Sequence, residues 1–262
     1  MATEPVTVPE DLEAASRVAM LLALGFGNGD DALAYWQGVY DSELERAMGA
    51  DDHDGRLAAL QLWFGPQSVA RILCALAAHG LHDDLKRPVL DLGCGNGHMT
   101  QALSAVGYTD VTGTDISPAA IDLAKWMRDH LQALEKEESA ANFAVDDVLD
   151  SVLNDDHFGL VVDKGCLDCV AMLPREDEET NEFGVEHESS SNRSFVERYV
   201  QTVGGLLCSD GHLLLLSCSL SQMELEALFE STFDIITCDN PNDSEHGLSE
   251  PILMLLRKKK IN

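Results

Sequence analysis

Three acidic residues and a glycine cluster have the spacing to do chemistry. Asp91-Leu92-Gly93-Cys94-Gly95-Asn96-Gly97 sets an acid two places ahead of three glycines that alternate with single residues. Asp115 follows about twenty residues on, the interval at which an acid meets a ribose in nucleotide-class sites, within Gly113-Thr114-Asp115-Ile116-Ser117. Asp147 lies in Val145-Asp146-Asp147-Val148. Glycine in a turn lets a ligand come close to the main chain. A dinucleotide site spaces its glycines G-x-G-x-x-G, and a phosphate loop adds Lys followed by Ser or Thr. Neither pattern is present, and Asp91 repels phosphate. The expected ligand therefore carries positive charge and no phosphate.

S-adenosylmethionine (SAM) meets both conditions through its sulfonium and ammonium groups. Asp91, Gly93, Cys94, Gly95 and Gly97 are expected to bind it. Its carboxylate is expected to meet main-chain N–H groups near the start of the next helix. Asp115, with Ile116 beside it, can accept from both ribose hydroxyls. Asp147 can accept from the adenine amino group, while the Val148 N–H donates to a ring nitrogen; Asp146 is a rival for that acid. The competing reading is that Asp115 and Asp147 only cap the elements that follow them.

The elements that must position these residues alternate from Pro88 onward. Strands are expected at Val89–Leu92, Val111–Asp115, Phe143–Val145, Leu160–Asp163 and His212–Ser217. Helices are expected from His98 to Val106, from Ser117-Pro118 onward, from Ser194 to Val203, and after the capping box Ser221-Gln222-Met223-Glu224. Ile235-Ile236 and Ile252–Leu256 read as a last, antiparallel strand pair. The predicted fold is α/β: a doubly wound, Rossmann-like sheet of seven strands under an N-terminal helical cover. That cover is read from an amphipathic helix at Glu10–Leu24, a turn-rich break at Gly25–Asp31, two aromatic knots (Tyr35 to Leu44, and Trp63-Phe64-Gly65) and a helix at Ser68–Ala78. Residues 1–34 read as an extension, 35–257 as the main domain with an acidic, disordered insertion at 175–193, and 258–262 as a basic tail.

Composition narrows the partners. The 262 residues carry a formal net charge of -29, which opposes binding to a nucleic-acid backbone and favours a basic protein or a small cation. No apolar run is long enough for a membrane span. Seven scattered cysteines, an odd number, without a signal peptide, suggest reduced thiols in an intracellular compartment. Cys166-Leu167-Asp168-Cys169 lacks the second pair that a zinc site needs, so no metal is expected. His98 opens a helix and has two readings, cofactor contact or cap.

The glycine motif resembles the first motif of the seven-strand, SAM-dependent methyltransferases. Tyr35-Trp36 with Val39-Tyr40 and Glu43-Leu44, Trp63-Phe64-Gly65, Gly113 to Pro118 and Asp163-Lys164-Gly165 are similar to one branch. That branch is the protein-lysine methyltransferases that modify translation elongation factor 1-alpha. Cys166 stands where the branch commonly has a threonine. The resemblance implies methyl transfer to a lysine side chain, with Asp163 as the candidate for orienting the amine. Its rival role is a helix or turn cap, and Lys164 is read as a partner of Asp163 or of another crevice acid. Tyr35, Trp36, Trp63 and Phe64 either cover the cofactor and lysine channel or pack the N-terminal helix. A monomeric, cytoplasmic enzyme is expected, with nuclear presence left open. The alternatives are a methyltransferase acting on another protein or a small molecule, and a non-catalytic adaptor of the same fold.

Overall fold

A computed structural model describes residues 29–51, 55–56, 60–135, 139–173, 195–241 and 250–260. Strand β1 (Val89–Leu92) is buried at every position, Asp91 included, as a strand covered on both faces is. It pairs in parallel with β2 (Val111–Asp115) on one side and β4 (Phe158–Lys164) on the other. Strand β3 (Ala141–Val145) adds beyond β2, and β5 (Leu207–Ser217) beyond β4. Strand β7 (Ile252–Lys258) lies antiparallel between β5 and β6 (Phe233–Asp239). The order is β3-β2-β1-β4-β5-β7-β6. The winding direction reverses between β1 and β4, and that switch opens a crevice at the carboxyl edge.

Seven helices of four or more residues pack around the sheet among the described residues: α1 (Gly29–Gly49), α2 (Gly65–Ala78), α3 (His98–Ala105), α4 (Pro118–Glu135), α5 (Cys166–Ala171), α6 (Phe195–Leu206) and α7 (Gln222–Phe229). The period-two alternation of strands divides the core. Leu90, Leu92, Val161, Leu213 and Leu215 face α6 and α7 through Tyr199, Val203, Leu225 and Phe229. Val89, Val111, Leu160, Val162 and Leu214 face α2 and α3 through Ile72, Leu76, Met99 and Leu103. Helix α1 packs on α4, with Tyr40 and Ala47 against Ala119, Ala120, Leu123 and Met127.

The expected strands all form, and the Ser221–Glu224 capping box is present. Several boundaries differ by a few residues, as β3 from Ala141 and β6 over Phe233–Asp239 do, and two differences are larger. Helix α1 starts at Gly29, inside the stretch read as a turn-rich break, and runs unbroken across position 34. Its packing on α4, rather than local propensity, sets its length. Strand β5 starts at Leu207, directly after α6, and so reaches further back than His212. The helix expected at residues 10–24 and the acidic insertion at 175–193 lie outside the described residues.

Candidate active site

The turn after β1 holds Gly93, Gly95 and Gly97 at φ 66°, 52° and 80°. A Cβ on Gly95 would sit 2.5 Å from the Tyr40 hydroxyl, so at this position glycine is needed for space as well as for backbone angle. Around this turn lies a cavity of ≈ 480 Å³, within the size range of small-molecule sites. Its wall includes Gly93, Cys94 and Gly95 of the turn, then Asp115 at the end of β2 with Ile116, and Asp146, Asp147 and Val148 after β3. Lys164, Gly165 and Cys166 close the β4 side, and Trp36, Tyr40, Trp63 and Phe64 form the cover.

Asp115 does two jobs at once. Its Oδ2 accepts from the Gly95 N–H at 3.0 Å and its Oδ1 from the Ser117 N–H at 2.9 Å. Burial raises its pKa to about 6, against the pull of those two N–H groups. A carboxylate has roughly four acceptor positions, so it can brace the turn and still accept from a ligand in the cavity. The two acids after β3 divide differently. Asp147 Oδ1 accepts from the Leu149 N–H at 2.8 Å, and Asp146 Oδ1 from the Val152 N–H at 3.0 Å. Asp146 Oδ2 is buried with no hydrogen-bond partner among the described residues. A buried carboxylate oxygen without a donor is costly, and an adenine amino group is a fitting donor. Both Asp146 and Asp147 remain at the wall.

Four expectations need correction. Gly97 is absent from the cavity wall; a Cβ there would lie 2.9 Å from the Ala124 and Phe143 side chains, so this glycine packs against α4 and β3. Asp91 is 1% exposed and is not at the cavity wall; its Oδ2 accepts from the Thr100 hydroxyl at 2.5 Å. Strand alternation turns it beneath the glycine turn, toward α3, where it anchors that helix to β1. Burial raises its pKa, while Thr100 and the more distant Lys164 charge oppose the rise. Asp163 is fully buried and also absent from the wall. Its Oδ1 accepts from the Cys166 N–H at 2.7 Å, and its Oδ2 from the Leu167 N–H at 2.9 Å and the Tyr199 hydroxyl at 2.5 Å. This is the cap reading: the carboxylate starts α5 and ties it to α6. Burial raises Asp163 to about 7, with Tyr199 opposing and Asp168 adding to the rise. Tyr35 does not reach the wall; its ring packs edge-on to Trp36 at 5.2 Å.

Lys164, one residue on, faces the cavity instead. Its ammonium donates to the Trp63 carbonyl at 3.4 Å and lies 5.9 Å from the centre of the Phe64 ring. It was expected to partner Asp163 or another crevice acid, but among the described residues it forms no direct ion pair with any carboxylate. Burial lowers its pKa, and the charges of Asp91 and Asp163 oppose that. His98 lines the same cavity; burial and then Lys164 lower its pKa to about 4, which leaves the ring neutral near pH 7.

The cover is fastened by residues that the sequence reading did not single out as functional. Glu43, fully buried on α1, accepts from the Gln61 N–H at 2.7 Å and from the Asn96 side-chain amide at 2.8 Å. That amide also donates to the Gln61 carbonyl at 2.8 Å, so α1, the segment before α2 and the glycine turn meet at one knot. Gln37 Oε1 accepts from the Ser117 hydroxyl at 3.0 Å and the Ala119 N–H at 3.2 Å, docking α1 on the start of α4. Trp36 and Trp63 stack edge-to-face at 5.3 Å. Phe64 takes a left-handed φ of 65°, rare for an aromatic, and its ring fills the space over Gly165. A signal was available: Trp36, Tyr40, Glu43 and Ala47 recur at helical spacing, and a charged residue on an otherwise inward face calls for a buried partner.

Residues 83–234 match a family described as "Methyltransferase domain". The chain is 29% identical over 202 residues to EEF1A lysine methyltransferase 2 of Mus musculus, covering 77% of this chain and 71% of that relative. It is 28% identical over 207 residues to protein-lysine N-methyltransferase efm4 of Schizosaccharomyces pombe, covering 74% and 78%. Its fold is similar to that of magnesium protoporphyrin IX methyltransferase from Synechocystis, solved with bound SAM, with a TM-score of 0.57 at 14% identity over 98% of this chain and 100% of that one. A match over more than half of its length, laid on the expected seven-strand sheet with its antiparallel last pair, means that the chain belongs to the methyltransferase domain family.

Proposed function

We propose that the chain transfers a methyl group from SAM to the side-chain nitrogen of a lysine in translation elongation factor 1-alpha. The observation that carries this reading is the layout of the cavity along the sheet edge. Acids after β2 and β3 stand at one side, and the aromatic cover meets the end of β4 at the other. The residues fit SAM: the buried Asp146 Oδ2 lacks a donor, Asp115 keeps acceptor capacity, and no phosphate-binding Lys-Ser or Lys-Thr pair follows the turn. The relatives named above are described as lysine methyltransferases, two of their qualities being a protein substrate and, for the mouse protein, EEF1A in its name. A net charge of -29 suits a basic partner.

Bound SAM supplies an electrophilic methyl, so the protein's task is placement. Asp115 holds the ribose side, and Asp146 with Asp147 holds the adenine side. Trp36, Tyr40, Trp63 and Phe64 exclude water from the β4 side of the cavity. A lysine amine that enters this wall loses solvation, which favours its neutral, nucleophilic form. In-line placement of that amine contributes much of the rate. Asp163 is turned toward α6 and takes no part in contacting the amine. The test is transfer of a labelled methyl from SAM to purified elongation factor 1-alpha, with the modified residue located by mass spectrometry. Label on a lysine is the expected result. In a parallel reaction with a cell lysate, label found only on a small molecule would overturn the substrate class. The same reading carries a monomeric enzyme in the cytoplasm, to be checked by sedimentation and by cell fractionation. No described helix is long and apolar enough to cross a membrane.

A further inference from the structure

The sequence suggests that main-chain N–H groups of the glycine turn receive the carboxylate of the cofactor. The structure has spent most of them. The Cys94 N–H donates to the Thr114 carbonyl at 2.8 Å, and the Gly97 N–H to the Cys94 carbonyl at 2.9 Å. The Gly95 N–H serves Asp115 at 3.0 Å, and the His98 N–H serves Asn96 Oδ1 at 3.3 Å. An anion at this end of the cavity therefore needs donors from side chains.

Two such donors stand in the wall. Lys164 carries three ammonium donors and uses one, in a long contact of 3.4 Å to the Trp63 carbonyl. The neighbouring acids are committed elsewhere, Asp91 to Thr100 and Asp163 to Cys166, Leu167 and Tyr199. Among the described residues no carboxylate pairs directly with this ammonium. The indole N–H of Trp63 is buried and has no acceptor among the described residues. A half-buried ammonium with no direct counter-ion among the described residues, beside an idle N–H in a cavity wall, matches the chemistry of a carboxylate ligand.

We propose that Lys164 is the carboxylate-binding residue of this site, pairing with the amino-acid carboxylate of SAM while the Trp63 indole N–H supplies a second donor. The inference rests on SAM being the ligand. It gives the crevice a charge order along the sheet edge: acceptors for the adenosyl part after β2 and β3, donors for the carboxylate at β4. It also gives Lys164 a role that its expected pairing with Asp163 does not.

The test is calorimetric binding of SAM and of decarboxylated SAM, which differ at the carboxylate, to the full chain and to Lys164→Met. The parent is expected to prefer SAM by about 10- to 100-fold, the usual worth of a hydrogen-bonded charge. Lys164→Met is expected to bind both ligands alike, at the affinity of the decarboxylated one, and Lys164→Arg to keep a preference. A parent that binds both ligands equally overturns the inference. So does a Lys164→Met protein that keeps the parent's ratio, even with turnover lost, because that outcome moves Lys164 to the acceptor side. If Lys164→Met does not fold by circular dichroism, the parent's ratio and its expected reduction in Trp63→Phe decide. A parent that binds neither ligand overturns the cofactor reading itself, and this inference with it, which separates the two failures.

Discussion

At the scale of residues, two buried carboxyls separate structural from ligand chemistry. Asp115 accepts from two N–H groups and lines the cavity, and its pKa is raised to about 6. Its ionised form is the better acceptor for ribose hydroxyls. Affinity for S-adenosylhomocysteine is therefore expected to fall as pH drops through about 6 in calorimetric titrations. Asp115→Asn should weaken binding by roughly 10-fold or more at pH near 7.5 and flatten that pH dependence. Asp163 is raised from 3.8 to about 7 and stays away from the cavity. Its native state holds the proton more tightly than the unfolded chain does. The stability this contributes is fully present below 3.8 and is lost as pH rises through about 7. Thermal melts of the parent should thus lose ground to those of Asp163→Asn across that window. Asp163→Ala leaves three donors without an acceptor and should cost roughly 3 kcal/mol or more in stability. The folded fraction of that variant should still bind S-adenosylhomocysteine. Loss of binding in a fully folded Asp163→Ala protein would return this residue to the active site.

At the scale of elements, the cover and the glycine turn behave as one unit. Helix α1 carries aromatic wall residues on one face and joins the turn through Glu43 and Asn96. Glu43 itself is not in the wall. Glu43→Ala should lower stability by roughly 2 kcal/mol, since the Gln61 N–H and the Asn96 amide lose a buried acceptor. It should also speed amide exchange in α1 and weaken S-adenosylhomocysteine binding, although it removes no atom that lines the cavity. Unchanged exchange in α1 would show that the cover is held by apolar packing on α4 alone. Gly95→Ala tests the same junction from the other side. Its Cβ would meet the Tyr40 hydroxyl at 2.5 Å at a φ of 52°, so binding should fall sharply in a protein that remains folded.

At the scale of the whole molecule, charge and topology act separately. The net charge of -29 concerns encounter with a partner, not the fold. If the acceptor is a basic protein, KM for that protein should rise with salt between about 0.05 and 0.3 M, where screening shortens to within a few ångströms of contact range. Affinity for S-adenosylhomocysteine, bound inside the cavity, should change far less. A KM that ignores salt would remove the acidic surface from substrate capture. Topology sets where the cavity stands. Order β3-β2-β1-β4 brings the ends of four strands to one edge, although their residues are spread from Val89 to Lys164 in the chain.

The sequence by itself determined the sheet, because short apolar runs such as Leu213–Leu216, bounded by turn residues and alternating with helical patterns, fit strands covered on both faces. It also determined the glycine turn and the acids that follow β2 and β3, since these depend on local spacing and on the ends of strands. Only the tertiary structure decided which side chains face the cavity. Neighbouring residues at the end of β4 point opposite ways, so Asp163 went to α6 and Lys164 to the wall. Neither the turn of Asp91 toward Thr100 nor the long-range meeting of Glu43 with Asn96 is written in spacing. The first joins residues 9 apart and the second residues 53 apart, and both are fixed by how helices pack on the sheet, which local pattern does not encode.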